Sequence, residues 1–292
     1  MKFIQMAFVD GKEKAFTTSY DDGVLQDQRL IDLMNTYEIK GTFNLNAAFL
    51  GRVERAWIDG FDTNVSTVRS EEINKVYCDH EIASHAFTHM KLTSVDKAVI
   101  SYQIVEDRKK LERYTSRIVN GFAYPFGVYD DEVVRVLNNT GIQYARTVEN
   151  TKQFSIPDDF LRWNPTCHHD EKALMKLAED FCEKVDLFGE PWLFYLWGHA
   201  YEFDQKKNWN VVEELFSYLA KYKRNIWFAT NGEIVSYVKA YRQLQFSMDG
   251  SLAYNPTALD IWIKVDGITK RIPSGGCMCI TPGKLCEGGN EE

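Results

Sequence analysis

A regular alternation of β-prone and helical segments is the feature that most constrains the fold of this chain. About seven strands are predicted between residues 14 and 241, and a helix separates most neighbours. The predicted strands cover 14–20, 41–46, 81–84, 121–125, 144–148, 192–197 and 226–229. Alternation of this kind predicts a parallel sheet with crossover helices. A chain of 292 residues suits a barrel or an open doubly wound sheet. No Gly-x-Gly-x-x-Gly follows the first strand, which disfavours a dinucleotide-binding sheet.

The pattern changes after Gln243. Segments 259–265 and 268–272 flank Asp266-Gly267, a strong signal for a two-residue hairpin turn. We therefore predict a barrel over residues 1–242 and a β-rich C-terminal extension with a loose tail over residues 243–292.

Charge and apolar content narrow the class of protein. Lys and Arg total 34 and Asp and Glu total 42, so the net charge is 34 − 42 = −8. An acidic surface repels phosphate backbones, so we expect no nucleic-acid partner. The longest apolar run, 192–197, is too short to cross a bilayer, and residues 1–10 do not resemble a secretory signal. The expectation is a cytoplasmic protein with no membrane partner.

The six cysteines fit that expectation. Cys78 and two others stand singly among regular elements, as small buried residues often do. The remaining three, Cys277, Cys279 and Cys286, cluster near the C-terminus. Their spacing could suit a metal, but no fourth ligand lies nearby, and reduced thiols near a chain end are the alternative.

Polar residues follow several predicted strands at the point where each strand ends. The carboxyl ends of parallel strands form one rim of such a fold, and active sites lie there. Packing alone does not readily explain so many polar groups on one rim. The residues concerned are Asp21, Asp22, His85, His89, Phe126 with its flanking Pro and Gly, and His199.

The pair His85 and His89 indicates a metal site. At positions i and i+4 on a helical turn, both imidazoles point the same way. Asp22 as third ligand would complete a two-His-one-carboxylate site. No His-Glu-x-x-His is present, which disfavours a zinc protease, whereas an iron oxygenase with the same ligand types stays open. Two surface histidines are the plain alternative.

The adjacent carboxylates Asp21 and Asp22 suggest a division of labour. Neighbours in a tight turn cannot both be good ligands of one ion, so one would bind the metal while the other accepts a proton from water. A solvated Asp-Asp-Gly turn is the alternative, since such turns are common.

Four motifs together resemble the polysaccharide deacetylase (NodB-homology) family over roughly residues 14–240. They are Thr18-Ser-Tyr-Asp-Asp-Gly23, His80-Glu-Ile-Ala-Ser-His-Ala-Phe-Thr-His89, Phe122-Ala-Tyr-Pro-Phe-Gly127 and Leu196-Trp-Gly-His199. The resemblance implies an α/β fold, a distorted (β/α)7-type barrel. It also implies metal-dependent removal of acetyl groups from N-acetylated sugars, or of O-acetyl groups as in some members.

The resemblance also implies roles for single residues. Asp21 matches the general base and His199 the general acid. The backbone amide of Phe126 matches a donor of the oxyanion hole. Asp22, His85 and His89 match the ligands of one divalent metal. Zinc is expected first, with cobalt, nickel, manganese or iron as alternatives.

Two positions depart from the family pattern. Ala86 replaces the usual Ser or Thr, and Ala123 stands where many members carry an Arg that orients the base. We predict that Arg146, on the next strand, lies within salt-bridge reach of Asp21, because a guanidinium fork can fix a carboxylate. Arg162 is the second choice for that contact.

Several further residues are candidates for binding an acetylated carbohydrate or sugar conjugate. His168 and His169 could bind substrate, position the acid, or merely cap the barrel. Glu202 and Asp204 could favour an amino-sugar product or form a solvated loop. The remaining candidates are Tyr124, Arg146, Arg162, Trp163, Trp197, Tyr201 and Trp209.

Three other functions stay open from the sequence. One is another amide hydrolase on the same scaffold, of the cyclic-ureide type. The second is a catalytically silent carbohydrate-binding relative, which an intact Asp21 and His199 argue against. The third is the iron oxygenase.

Overall fold

A computed structural model describes residues 3–280 of the chain. The strands, in chain order, are β1 (Ile4–Ala7), β2 (Lys14–Asp21), β3 (Thr42–Leu45), β4 (Arg55–Ile58), β5 (Phe61–Asn64), β6 (Glu81–Ser84), β7 (Gly121–Ala123), β8 (Tyr144–Arg146), β9 (Cys167–His168), β10 (Trp192–Gly198), β11 (Ile226–Phe228), β12 (Gln245–Phe246), β13 (Leu252–Tyr254), β14 (Ile261–Val265), β15 (Ile268–Ile272) and β16 (Cys277–Cys279). The helices are α1 (Asp27–Thr36), α2 (Ile73–Val76), α3 (Lys97–Thr115), α4 (Asp131–Asn139), α5 (Leu174–Glu183), α6 (Tyr201–Lys206), α7 (Trp209–Ala220) and α8 (Asn231–Tyr241). Short 3₁₀ turns lie at Val9–Gly11, Leu92–Ser94, Pro125–Gly127 and Phe160–Arg162.

Parallel strands form the central sheet in the order β8-β7-β6-β3-β2-β10-β9. The sheet forks at β2, whose first half also pairs with β11 and whose last residues pair with β3. Every residue of β2 is buried, as expected for a strand covered on both faces. This arrangement confirms the predicted α/β, barrel-type fold.

A single segment brings the two edges of the sheet together. The Trp163 amide donates to the Ala145 carbonyl, and the Thr147 amide donates to the Trp163 carbonyl, both at 3.0 Å. A few residues later β9 pairs with β10 at the other edge. The sheet therefore curls into a distorted barrel.

Side chains at the helix starts explain where two of the longer helices begin. The Asp96 carboxylate caps α3 by accepting from the amides of Ala98 and Val99. Thr230 and Glu233 form a reciprocal capping box at the start of α8. Such caps satisfy amides that have no partner within the helix.

A hairpin of β4 and β5 interrupts the alternation between β3 and α2. The sequence analysis assigned nothing there, although Asp59-Gly60 is the same turn signal as Asp266-Gly267. Asp59 and Gly60 have φ of 50° and 86°, which suits a two-residue hairpin turn.

The predicted C-terminal hairpin is confirmed. Strands β14 and β15 pair across Asp266 and Gly267, whose φ values are 49° and 82°. The sheet gains a third strand from the other end of the chain, because β1 runs antiparallel to β14. The boundary at residue 243 stays a prediction.

Strands β12, β13 and β16 form a separate small sheet. Cys277 and Cys279 lie on β16, and among residues 3–280 neither belongs to a group of side chains spaced to hold a metal. Cys286 lies outside the described residues. Within the described part of the chain, no helix combines the length and apolar character needed to cross a membrane.

Candidate active site

Asp22, His85 and His89 meet at the carboxyl ends of β2 and β6. The Asp22 Oδ1 atom lies 3.9 Å from the Nε2 atoms of both histidines. The three side chains offer ligand atoms within 4.8 Å of one another. The predicted set is therefore assembled at one point of the rim.

The hydrogen bonds of His85 suit metal binding. Its Nδ1 donates to the Ala123 carbonyl at 2.8 Å, so the proton of a neutral ring lies on Nδ1. The unprotonated Nε2 then faces Asp22, which is how an outer partner orients a metal-binding imidazole. The donors present fit a divalent ion such as zinc.

The turn that carries the two histidines is not helical, contrary to the expectation from their spacing. Ala86 and His89 have φ of 61° and 51° and lie in the left-handed region. Asp22 and Phe126, at the neighbouring strand ends, share this conformation with φ of 75° and 58°. Strained residues of this type cost roughly 1–3 kcal/mol each and cluster at functional sites.

Asp21 is buried beside this group and is held from two sides. Its Oδ1 accepts from Asn44 Nδ2 at 2.8 Å, and its Oδ2 accepts from the Arg146 guanidinium. Burial alone would raise the pKa of Asp21, but the guanidinium of Arg146 holds that pKa well below its usual range. The carboxylate is ionised, and the predicted contact with Arg146 is present.

His199 also lies beside Asp21, with its Nε2 3.9 Å from Asp21 Oδ2. Its Nδ1 donates to Glu202 Oε1 at 2.9 Å. Burial opposes the charged ring, yet the bond to Glu202 and the nearby Asp21 raise the pKa of His199 to about 9. The imidazole therefore carries a proton at neutral pH.

Residues 9–145 match the family model described as polysaccharide deacetylase. Over these residues the chain is similar to the polysaccharide deacetylases. A crystal structure from Mycobacterium smegmatis, provisionally assigned to that family, has a TM-score of 0.56 at 15% identity, over 83% of this chain and 96% of that one. That likeness supports the fold.

Two other solved structures match half of the chain. The deacetylase PplD from Streptococcus pyogenes, in complex with acetate, has a TM-score of 0.43 at 14% identity, over 50% of this chain and 61% of that one. A polysaccharide deacetylase from Bacillus cereus has a TM-score of 0.41 at 22% identity, over 50% and 44%. The chain thus spans less than two thirds of the length of these two proteins. No curated protein matches it.

The sequence analysis offered Glu202 for an amino-sugar product but not as the partner of His199, and it did not name Asn44, which holds Asp21. Glu202 lies in the first turn of α6, three residues after His199. A carboxylate at this spacing from a histidine, at a strand-to-helix junction, is a signal that could have found the pair.

Glu202 belongs to a second group of side chains of the types that bind metals. The group consists of His168, His169, Asp170 and Glu202. His168 Nδ1 accepts from the Asp170 amide at 3.2 Å, so the proton of the neutral ring lies on Nε2, 3.4 Å from Glu202 Oε2. The Lys206 ammonium contacts Asp170 and lies 3.6 Å from Glu202 Oε2. A cation, Lys206, thus already lies beside this group, and Glu202 faces positive or proton-bearing side chains.

His169 is packed where its ring cannot turn easily. It is 1% exposed and stacks between Tyr20 and Phe203. A Cβ on Gly198 would approach its Nδ1 to 2.1 Å, so only glycine leaves room for the ring. Its Nε2 lies 2.9 Å from Glu202 Oε2 but off the direction of a hydrogen bond.

Three predicted substrate contacts do not fit their positions. Trp163 is 1% exposed and packs against Tyr195 in the core, so no sugar can stack on it. Tyr124 is equally buried, and its hydroxyl donates to the Leu161 carbonyl at 2.7 Å. Arg162 pairs with two surface acids, Asp159 and Asp131, and not with Asp21.

The other aromatic candidates divide into core and rim. Trp209 is 7% exposed and donates to Asp204, so it too belongs to the core. The Trp197 ring lies 4.5 Å from the Arg146 guanidinium carbon and so supports that arginine. Tyr201 lines a cavity together with Asp22 and His89. The Phe126 ring is 61% exposed beside His89.

Proposed function

We propose that this protein is a metal-dependent hydrolase that removes acetyl groups from N-acetylated sugars, with O-acetylated sugars as possible further substrates. One observation carries the proposal. An ionised Asp21 and a protonated His199 lie within 3.9 Å of each other beside the Asp22, His85 and His89 group. That arrangement places a proton acceptor and a proton donor at one point, as amide hydrolysis requires.

Asp22, His85 and His89 would hold the divalent ion, with zinc expected first and cobalt, nickel, manganese or iron suited to the same donors. When bound, such an ion supplies Lewis acidity to the reaction. The nitrogen donors support this, because the hydrogen bond of His85 Nδ1 leaves its Nε2 free for an ion.

Asp21 would act as the general base and accept the proton of the attacking water. Arg146 and Asn44 fix one oxygen each, so the carboxylate cannot turn away from the rim. The low pKa of Asp21 keeps it ionised throughout the neutral range. Fixed orientation is what a general base needs for efficient proton transfer.

His199 would act as the general acid and give its Nε2 proton to the departing amine. An amine leaves poorly unless it is protonated, so hydrolysis of an acetamide needs this donor. Glu202 is a positioning residue, because it accepts from Nδ1 and thereby directs Nε2 toward Asp21 and the substrate. The backbone amide of Phe126 would stabilise the developing oxyanion.

Acetate release from a panel of N- and O-acetylated sugars tests this function. We expect release that a chelator abolishes and added zinc restores. Asp21→Asn should reduce the rate on the order of 10²- to 10⁴-fold, as loss of a general base does. Asp32→Asn, on the exposed face of α1, is the matched control and should keep full activity.

Two results would contradict the proposal. One is chelator-resistant acetate release, and the other is wild-type turnover by Asp21→Asn. Hydrolysis of a cyclic ureide without acetate release from any sugar would favour the related amide hydrolase instead.

A further inference from the structure

The turn between His85 and His89 has no polar side chain next to its first histidine. Ala86 and Phe87 carry no polar side-chain atom, and both Ala86 and His89 adopt the left-handed conformation. Among the described residues no hydrogen bond holds the His89 ring, which packs edge-to-face against Phe126. The position of His89 therefore depends on what holds the backbone of the turn.

Asn46, directly after β3, lies beside this turn. Strands β3 and β6 are parallel and Leu45 pairs with Ser84, so the next residues, Asn46 and His85, are level with each other. The His85 amide donates to the Leu45 carbonyl at 2.9 Å, which continues the ladder past the pair. Asn46 is buried, so its side chain must find its hydrogen-bond partners within the protein.

The Asn46 side chain binds two successive carbonyls of the turn. Its Nδ2 donates to the His85 carbonyl at 2.5 Å and to the Ala86 carbonyl at 2.6 Å. A primary amide carries two N–H groups, so it can serve both acceptors. The torsion angles of Ala86 decide how these two carbonyls are directed, and its left-handed φ of 61° is unfavourable for alanine. Asn46 thus stabilises a conformation that the turn would not adopt readily by itself.

Helix α3 holds the following residues of the turn. The Gln103 carbonyl accepts from the Phe87 amide at 3.0 Å, and Gln103 Oε1 accepts from the Thr88 amide at 2.9 Å. Gln103 is itself buried on α3. The first half of the turn is therefore held by Asn46 and the second half by α3.

We propose that Asn46 is a positioning residue for the metal centre, because its two hydrogen bonds fix the turn that brings His89 to His85 and Asp22. The inference rests on the proposed function for the presence of a metal ion. Contacts that orient metal ligands from outside commonly contribute on the order of 10- to 100-fold to metal affinity. Without Asn46 the turn relaxes toward conformations that alanine prefers, and the ligands are no longer held together.

The experiment compares zinc binding by the wild-type protein and by Asn46→Leu, which has a similar volume but no hydrogen-bond donor. Asn255→Leu is the matched control. Asn255 lies between β13 and β14, is fully buried, and its Nδ2 also donates to two carbonyls, those of Leu259 at 2.7 Å and Ile272 at 3.1 Å. Circular dichroism and urea unfolding show whether each variant is folded and how much stability it loses.

The zinc Kd is measured by competition with a chromophoric chelator, and the arrangement of the ligands is followed by the visible absorption of the cobalt-loaded protein. For Asn46→Leu we expect the zinc Kd to rise on the order of 10- to 100-fold and the cobalt absorption to change. Asn255→Leu should lose stability but keep the zinc Kd and the cobalt absorption of the wild type.

A smaller change keeps the test available if Asn46→Leu does not fold. Asn46→Ser can serve at most one of the two carbonyls, because a hydroxyl carries a single proton. Its zinc Kd should therefore also rise, by less than that of a folded Asn46→Leu.

Three results would overturn the proposal. One is an unchanged zinc Kd and cobalt absorption in a folded variant of Asn46. Another is an equal weakening in Asn255→Leu, which would trace the effect to general stability. The third is the absence of zinc binding by the wild type.

Acetate release separates this failure from the failure of the proposed function. Zinc binding that Asn46→Leu weakens, without acetate release by any form of the protein, would support the positioning role and contradict the deacetylase. Acetate release by the wild type, with an unchanged zinc Kd in Asn46→Leu, would support the deacetylase and contradict the positioning role.

Discussion

Two groups of histidine and carboxylate side chains lie at the same rim of the barrel, and they differ in how their rings are hydrogen-bonded. In the first, His85 Nδ1 donates to a carbonyl, so the lone pair of Nε2 faces Asp22. In the second, His168 Nδ1 accepts from an amide, so a proton on Nε2 faces Glu202. The same side-chain types therefore present opposite groups to their carboxylates.

The neighbouring charges differ in the same sense. Beside Asp22, the charged neighbours are Asp21 and Arg146, and the Arg146 guanidinium pairs with Asp21. Near Glu202 the Lys206 ammonium occupies the space between two carboxylates. We infer that the first group suits an added cation and the second holds a carboxylate in place. Residue type and spacing do not distinguish these two uses. The hydrogen-bond partner of Nδ1 in each histidine does, because it decides whether Nε2 carries a proton.

The largest effect is expected when each group loses one histidine. His85→Ala should lose bound zinc and all measurable deacetylation, because two of three ligands remain. His168→Ala should keep one equivalent of zinc per chain. Metal content after dialysis, measured by mass spectrometry, checks both. Loss of zinc in His168→Ala, or two equivalents in the wild type, would break the distinction between the groups.

Removal of the proposed acid, His199, should leave the first group intact. His199→Ala is expected to keep its zinc but lose activity on the order of 10²- to 10⁴-fold, as typical for a general acid. The rate on an acetyl ester with a good leaving group should fall much less, because such a group departs without protonation. Equal losses on amide and activated ester would argue against the role as acid.

Neutralising Glu202, the carboxylate of the second group that binds His199, should lower the pKa of His199. Glu202 helps raise the pKa of His199 to about 9, so Glu202→Gln should lower that pKa. The alkaline limb of kcat then moves to lower pH, and each unit below the assay pH costs about tenfold in protonated acid. The pH–rate profile measures this. Glu213→Gln, exposed on α7, is the control and should leave the limb in place.

The smallest effect concerns His80, which belongs to neither group. Its Nδ1 accepts from the Gly41 amide at 3.1 Å, and burial lowers its pKa to about 4 from an ordinary 6.5. The unfolded chain binds this proton more readily than the folded chain does. The contribution of neutral His80 to the free energy of unfolding is therefore fully present above pH 6.5 and is lost as the pH falls toward 4. This pKa shift corresponds to a loss of at most roughly 3 kcal/mol in the free energy of unfolding.

Urea unfolding between pH 4 and 7 tests this, with His80→Gln as the comparison. The wild type should lose more of its free energy of unfolding than the variant over that range. Equal losses would mean that burial of His80 does not control its protonation.

Much of the candidate site was accessible from the sequence because it depends on local order. Asp22, His85 and His89 each follow a parallel strand, and parallel strands end at one rim, so their meeting follows from the alternation alone. The contact between Arg146 and Asp21 was predicted from the resemblance, in which Ala123 replaces a usual Arg, and from the place of Arg146 near the end of the next strand. The prediction of Trp163 as a substrate contact was wrong, because its burial depends on the segment that closes the barrel.

The sequence by itself determined the class of fold, the rim on which the polar residues lie and the candidate ligand set, since these depend on periodicity and order along the chain. Only the tertiary structure decided the use of each histidine. The carbonyl that orients His85 lies 38 residues away, and Arg146 lies 125 residues from Asp21. Protonation depends on such distant partners through distance and burial, which sequence spacing does not contain.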